Sequence, residues 1–79
     1  MTVVQIDRSI DALGMPCPGP LMSLIGAIRE AQVGDVTEVL SSDEGSKTDI
    51  PAWVAKARHE LIEVVSEGSF ARFVVRKAR

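Results

Sequence analysis

Gly14-Met15-Pro16-Cys17-Pro18-Gly19-Pro20-Leu21-Met22-Ser23-Leu24-Ile25 is the stretch on which the fold turns. A glycine and three alternating prolines make a stiff turn. Beyond it Leu21, Leu24, Ile25 and Ile28 recur at i, i+3, i+4 and i+7, the apolar stripe of a helix with one covered face. Proline fixes its own φ and drives the preceding residue out of the α region. The helix is therefore predicted from Pro18 to about Gln32, with Cys17 as its N-cap, Pro18 as its first residue, and Gly19 and Pro20 completing the first turn. Gly34 is expected to end it. Gly26 costs about 1 kcal/mol relative to alanine at mid-helix, so it marks either a close approach to a strand or nothing.

Working outward, Val3 to Ile10 sets Val4, Ile6 and Ile10 against Gln5, Asp7 and Ser9, which predicts a first strand, and Asp11 to Pro16 becomes the turn that carries the cysteine. Downstream, Asp35 to Ser42 sets Val36, Glu38 and Leu40 against Thr37 and Val39, a second strand. Ser42-Asp43-Glu44-Gly45-Ser46-Lys47-Thr48 reads as a polar loop. Asp49, with Pro51 two residues on, is the expected N-cap of a short helix reaching about Arg58. Leu61 to Ser66 and Phe70 to Lys77 are expected as two further strands, joined in a hairpin at Glu67-Gly68-Ser69. The order βαβαββ implies an α/β fold with one four-stranded mixed sheet and both helices on one face.

Seventy-nine residues allow one domain, spanning 1–79, and 46% hydrophobic content with few aromatics makes its small core aliphatic. The apolar runs are too short for a membrane span, and the first ten residues carry charge where a signal peptide would be apolar. A cytoplasmic chain with no membrane partner is expected, an address that suits a free thiol. With a net charge of -2 and no block of like charge, general nucleic-acid binding has little support. A dithiol oxidoreductase needs a second cysteine, and structural zinc needs about four ligands. One cysteine and one histidine supply neither, so no metal or cofactor is expected.

Cys17 is the single sulfur nucleophile. A lone cysteine is commonly a packing residue, yet packing gives no reason for proline on both sides, whereas a presented thiol gains from a turn that cannot collapse over it. At a helix N-terminus the macrodipole favours the thiolate. Pro18 and Pro20 remove two backbone donors, which leaves the N–H groups of Gly19 and Leu21 to solvate the sulfur, so the expected drop in thiol pKa is moderate. With no second cysteine, no disulfide can close within the chain.

His59 is expected at the end of the second helix, interacting with terminal carbonyls, rather than as a base for Cys17. Met15, Met22 and Trp53 are expected as core or edge filler, though methionine and tryptophan also suit adaptable interfaces. That second possibility defines an alternative of another class, a non-catalytic binding or regulatory module in which Cys17 merely packs. RNA binding through Arg72, Arg76, Lys77 and Arg79 is a third. The start of the first helix and the exit of the second strand should share one end of the sheet. Asp43, Glu44, Lys47 and Asp49, with Met15 and Met22, are therefore the candidate docking residues around Cys17.

Asp11-Ala12-Leu13-Gly14 followed by Cys17-Pro18-x-Pro20, then Asp49-Ile50-Pro51 and His59-Glu60-Leu61, resembles the TusA (SirA-like) family of small sulfur carriers over nearly the whole chain. The resemblance implies a two-layer α/β sandwich whose cysteine accepts sulfane sulfur as a persulfide and passes it on, a sulfurtransferase-type relay rather than turnover of a small substrate. Cys17 matches the sulfur-bearing cysteine, Pro18 and Pro20 the motif prolines, and Asp49 the acidic residue at the second-helix entrance. The implied partners are a sulfur donor, such as a cysteine desulfurase or another sulfurtransferase, and a sulfur acceptor. Gly19 stands where the family often has an acidic residue, and Thr48 where it often has arginine, with Lys47 the nearest cation. Those departures bear on partner docking, not on the thiol.

Overall fold

The computed structural model describes residues 5–16 and 18–79, in the order β1 (Arg8–Asp11), α1 (Gly19–Glu30), β2 (Val36–Ser41), α2 (Ser46–Lys56), β3 (Glu60–Ser66) and β4 (Ala71–Arg76). The sheet order is β1-β2-β4-β3. β1 runs parallel to β2, and the other two neighbouring pairs are antiparallel. This is the mixed four-stranded sheet that the element order implied. Residues 1–4 lie outside the described residues, and so do Val3 and Val4 of the predicted first strand. The strand itself is shifted toward the C-terminus, because its parallel partner begins at Val36 and pairs Arg8 with Thr37, which takes Asp11 out of the turn and into the ladder.

One face of the sheet carries both helices. Leu24 and Ile28 of α1 and Ile50 and Val54 of α2 meet Ala12, Val39, Ala71, Phe73 and Val75 in a single cluster, with Ile10, Leu21, Trp53 and Leu61 packed at its margin. Burial in α1 falls on Pro20, Leu24 and Ile28, spaced by four, and Leu21 and Ile25 of the predicted stripe are half-buried. Gly26 is exposed and a Cβ there would meet nothing within 4 Å, so it marks no close approach.

Both helix beginnings differ from the sequence reading. Pro18, not Cys17, occupies the N-cap of α1. α2 starts at Ser46, three residues before Asp49, which lies in the first turn with Pro51 inside the helix. The cause is Ser41, the buried last residue of β2. Its hydroxyl accepts the Asp43 N–H at 3.1 Å and pairs with the Ser46 hydroxyl at 2.7 Å, folding the polar loop into helical turns before Asp49 is reached. The helix ends differ as well. α1 stops at Glu30, where the Lys77 ammonium binds the Ala31 carbonyl at 2.7 Å, and the Gly34 N–H goes to the Lys77 carbonyl rather than closing the helix. α2 closes in a Schellman arrangement: Arg58, at φ 63, donates to Ala55, and the His59 N–H donates to Val54 at 3.0 Å.

The other face of the sheet is charged. Ser9 and Arg72 both bond Glu38, Arg72 continues to Glu63 at 3.2 Å, and Arg76 meets Glu60 at 3.0 Å. A polar chain thus crosses all four strands. The Ser9 hydroxyl, then Arg72, hold the Glu38 carboxyl below its usual value, while Glu38 holds the Arg72 guanidinium above its own.

Candidate functional site

Parallel pairing of β1 with β2 sets Asp11 beside Leu40, and β4 begins with Ala71 beside Ser41. The β1–α1 loop, the β2–α2 loop and the β3–β4 hairpin therefore leave from one end of the sheet. The charged loop at 43–47 and the described residues on either side of position 17, Pro16 and Pro18, belong to this end. Cys17 itself lies outside the described residues.

The loop leading toward it is pinned donor by donor. The Ala12 N–H extends the ladder to the Leu40 carbonyl at 3.0 Å, and the Leu13 N–H turns back to the Asp11 carboxylate at 3.1 Å. Met15 closes a turn onto the Ala12 carbonyl at 3.2 Å, with Gly14 at φ +81, a conformation that suits glycine. The Gly14 N–H reaches across to the Ser42 hydroxyl of the neighbouring loop at 2.9 Å. Pro16 has no N–H. On the far side of Cys17, the Gly19 N–H donates to the Pro16 carbonyl at 2.8 Å. This corrects the expectation that Gly19 would be available to the sulfur. The reason is local: Gly19 closes a tight turn onto Pro16, and the turn takes the donor. The α1 N-terminus has no side-chain cap and no acidic residue in its first turn, so its dipole is not offset there by a carboxylate of the helix.

Around this loop the apolar side chains face outward. Met15 is 42% exposed, Met22 58% and Leu13 42%, so the two methionines are not filler, in contrast to the sequence expectation. Met15 folds back along α1: a Cβ at Gly19 would stand 3.1 Å from its Cβ, and the Ser23 hydroxyl points at its sulfur at 3.9 Å. Glycine at position 19 is what gives Met15 that seat. Pro18 is exposed, Gly19 half-buried and Pro20 buried, the last anchoring the first turn to the core side. Trp53 differs from the methionines. It packs on the core margin with its ring 5.5 Å from His59, toward the opposite end of the sheet.

The polar loop forms the second wall. Ser41, Ser42, Asp43, Glu44 and Lys47, with Gly68, Ser69 and Phe70 of the hairpin, line a shallow cleft. Lys47 pairs with Glu44 at 3.3 Å, and one carboxylate oxygen of the half-buried Asp43 is enclosed without a partner among the described residues. Asp49 is half-buried one turn into α2.

His59 belongs elsewhere. Its Nδ1 accepts the Ala78 N–H at 3.0 Å, and burial, with Lys77 and Arg79 nearby, pushes its imidazole below the ordinary value. Its backbone rather than its ring meets the helix-terminal carbonyl. Arg72 and Arg76 are engaged by glutamates across the open face, and Lys77 by Ala31, so three of the four cations considered for RNA are spent on internal partners. Sequence reading passed over Ser42 and Leu13. No periodic signal marks an exposed serine as the acceptor for a loop 28 residues away.

Comparison with known proteins adds a second kind of observation. The family described as Sulfurtransferase TusA matches residues 8–77. A protein of Archaeoglobus fulgidus named "Putative sulfur carrier protein" is 54% identical over 70 residues, covering 89% of this chain and 96% of its own length. "Putative sulfur carrier protein YrkI" of Bacillus subtilis is 35% identical over 74 residues, covering 94% and 99%. Among solved structures, a SirA-like protein of Desulfitobacterium hafniense superposes with a TM-score of 0.78 at 20% identity, over 91% of this chain and 99% of that one, a likeness of fold.

Proposed function

The chain belongs to the Sulfurtransferase TusA family, and we propose that it is a sulfur carrier in which Cys17 takes up sulfane sulfur as a persulfide and hands it to a partner protein. The observation that carries this reading is the family match across residues 8–77, which includes the lone cysteine of the Cys17-Pro18-x-Pro20 turn. The pinned loop and the uncovered helix N-terminus support it from the side of geometry.

In the loading step the Cys17 thiolate attacks the terminal sulfur of a donor persulfide. A new S–S bond forms at Cys17, the donor's S–S bond breaks, and the donor leaves as a thiolate, with no net oxidation. In the unloading step an acceptor thiolate attacks the terminal sulfur on Cys17 in the same way, returning Cys17 as the thiolate. Pro18 and Pro20 hold the trajectory, and the helix dipole favours the thiolate at both stages. Met15 and Met22 supply an apolar contact for the partner, and Asp43, Glu44, Lys47 and Asp49 supply its charged margin. A cytoplasmic setting accords with an unpaired thiol.

The test is intact mass after incubation with a cysteine desulfurase and cysteine. One added sulfur atom, lost on reduction and absent in Cys17→Ser, is the expected result. A chain that stays unmodified by several unrelated donors while its thiol is accessible to alkylation would defeat the reading.

A further inference from the structure

We propose that Ser42 is a positioning residue for sulfur transfer, its hydroxyl holding Gly14 so that the loop preceding Cys17 is fixed to the charged loop on which a partner sits. The inference rests on the carrier reading of Cys17 and adds to it a residue outside the family motif.

Between Ala12 and Gly19 every described backbone N–H has an acceptor: the sheet ladder gives Ala12 the Leu40 carbonyl, and the others turn back locally, to the Asp11 carboxylate for Leu13, Ala12 for Met15 and Pro16 for Gly19. Beyond the ladder, the Gly14 N–H alone of these reaches the neighbouring loop. In the turn from Ala12 to Met15 it is a central donor that the turn itself does not use, and it finds the Ser42 hydroxyl at 2.9 Å. Turn closure fixes the shape of the loop, whereas the bond to Ser42 fixes where that shape sits.

Ser42 is well placed for the task. Its neighbour Ser41 is buried and doubly bonded, to the Asp43 N–H and the Ser46 hydroxyl, so the backbone that carries Ser42 is held by the start of α2. Ser42 is exposed and lines the cleft beside Asp43, Glu44 and Lys47. One residue therefore faces the charged docking margin and restrains the sulfur loop. Transfer between two proteins needs the reacting sulfurs in line and within contact, so a loop free to drift by an ångström slows the step without weakening the encounter.

The experiment compares Ser42→Ala and Ser42→Thr with the parent in sulfur transfer from a persulfidated cysteine desulfurase, alongside amide exchange at Gly14. In Ser42→Ala, kcat is expected to fall about three- to tenfold, the range that loss of one exposed hydrogen bond allows, with KM unchanged. Threonine keeps the hydroxyl and should restore kcat. Gly14 exchange should accelerate in the alanine variant alone. The proposal is overturned if kcat is unmoved, if threonine fails like alanine, or if KM rises instead, which would make Ser42 a partner contact. If the parent takes up no sulfur, the carrier reading fails by itself, and Gly14 exchange then decides the tether. Protection lost in alanine and kept in threonine upholds the holding role, and equal exchange in parent and alanine ends it.

Discussion

Two loops leave the same end of the sheet, each running from a parallel strand into a helix, and they are built differently. The one from residue 12 to 18 adds covalent constraint, three alternating prolines in 16–20, to a hydrogen-bonded turn with a left-handed glycine, and its apolar side chains are turned outward. The one from 42 to 45 is shaped by hydrogen bonds, with a buried serine pair at its root and charges at its tip. The share of stiffness that the prolines give the first comes from fixed φ angles, so it survives exposure to water. Order in the second depends on a desolvated hydroxyl pair. On the proposed function, the division suits one loop that presents a reactive atom and another that meets partners with charge.

The comparison is broken most severely at Cys17. Cys17→Ser should reduce sulfur transfer to background while leaving circular dichroism and the melting temperature close to the parent, since serine is well accepted near a helix start. Broad unfolding of that variant would mean that the cysteine packs rather than presents. Next in size, Ser41→Ala strands the Ser46 hydroxyl and the Asp43 N–H, so urea unfolding should lose about 1–3 kcal/mol. A loss below a few tenths would show that the second loop is not held by its serine pair.

Replacing Pro18 and Pro20 together by alanine sharpens the first half of the comparison. Two backbone donors return near the sulfur and the unfolded chain gains freedom, at about 0.4–1 kcal/mol per site. The thiol pKa should fall or hold while transfer to a protein slows. Faster transfer would mean that thiolate solvation, not a fixed trajectory, limits the reaction. Reversing Asp43 and Glu44 to lysine should change the rate of association with a protein partner and its salt dependence, yet spare alkylation by a small thiol reagent. Proportional change in both would make the loop an electrostatic tuner of the thiolate.

The smallest effect lies at the opposite end of the sheet. The folded pKa of His59 sits below its unfolded value near 6.5, so the unfolded chain binds more protons in acid. Stability should therefore be present above about pH 6.5 and decline as pH falls through the interval down to the folded pKa. His59→Gln should flatten that slope in denaturant titrations between pH 7 and 5 and leave transfer untouched. An unchanged slope would place the titration in another group.

The strands and helices were legible because their signals are local. Leu24 and Ile28, Val39, and Phe70 to Lys77 announce their elements by period and composition. The Glu67-Gly68-Ser69 hairpin closes as expected, with Glu67 bonded to Phe70 and Gly68 at φ +72. The start of α2 was misplaced because proline was read as a first-turn marker, but Pro51 sits inside α2, where the buried Ser41 hydroxyl had already begun the helix; in α1 Pro20 does lie in the first turn, and the N-cap moved on by one residue to Pro18. Met15 and Met22 were judged by residue type, and type does not say which side of a loop faces water.

By itself, then, the sequence determined the order of elements, the placement of both helices on one face of the sheet, and the presence of a single thiol in a proline-stiffened turn before a helix. These follow from covalent geometry and short-range periodicity, which the chain carries wherever it goes. Tertiary structure decided that Gly14 is held by Ser42, that α1 ends where Lys77 reaches Ala31, and that the apolar rim at residues 13, 15 and 22 stands exposed beside a charged cleft. Most of these joins link residues tens of positions apart, and the remainder depend on how a loop sits against its neighbours. Such contacts are selected by the free energy of the packed whole, which no local pattern encodes.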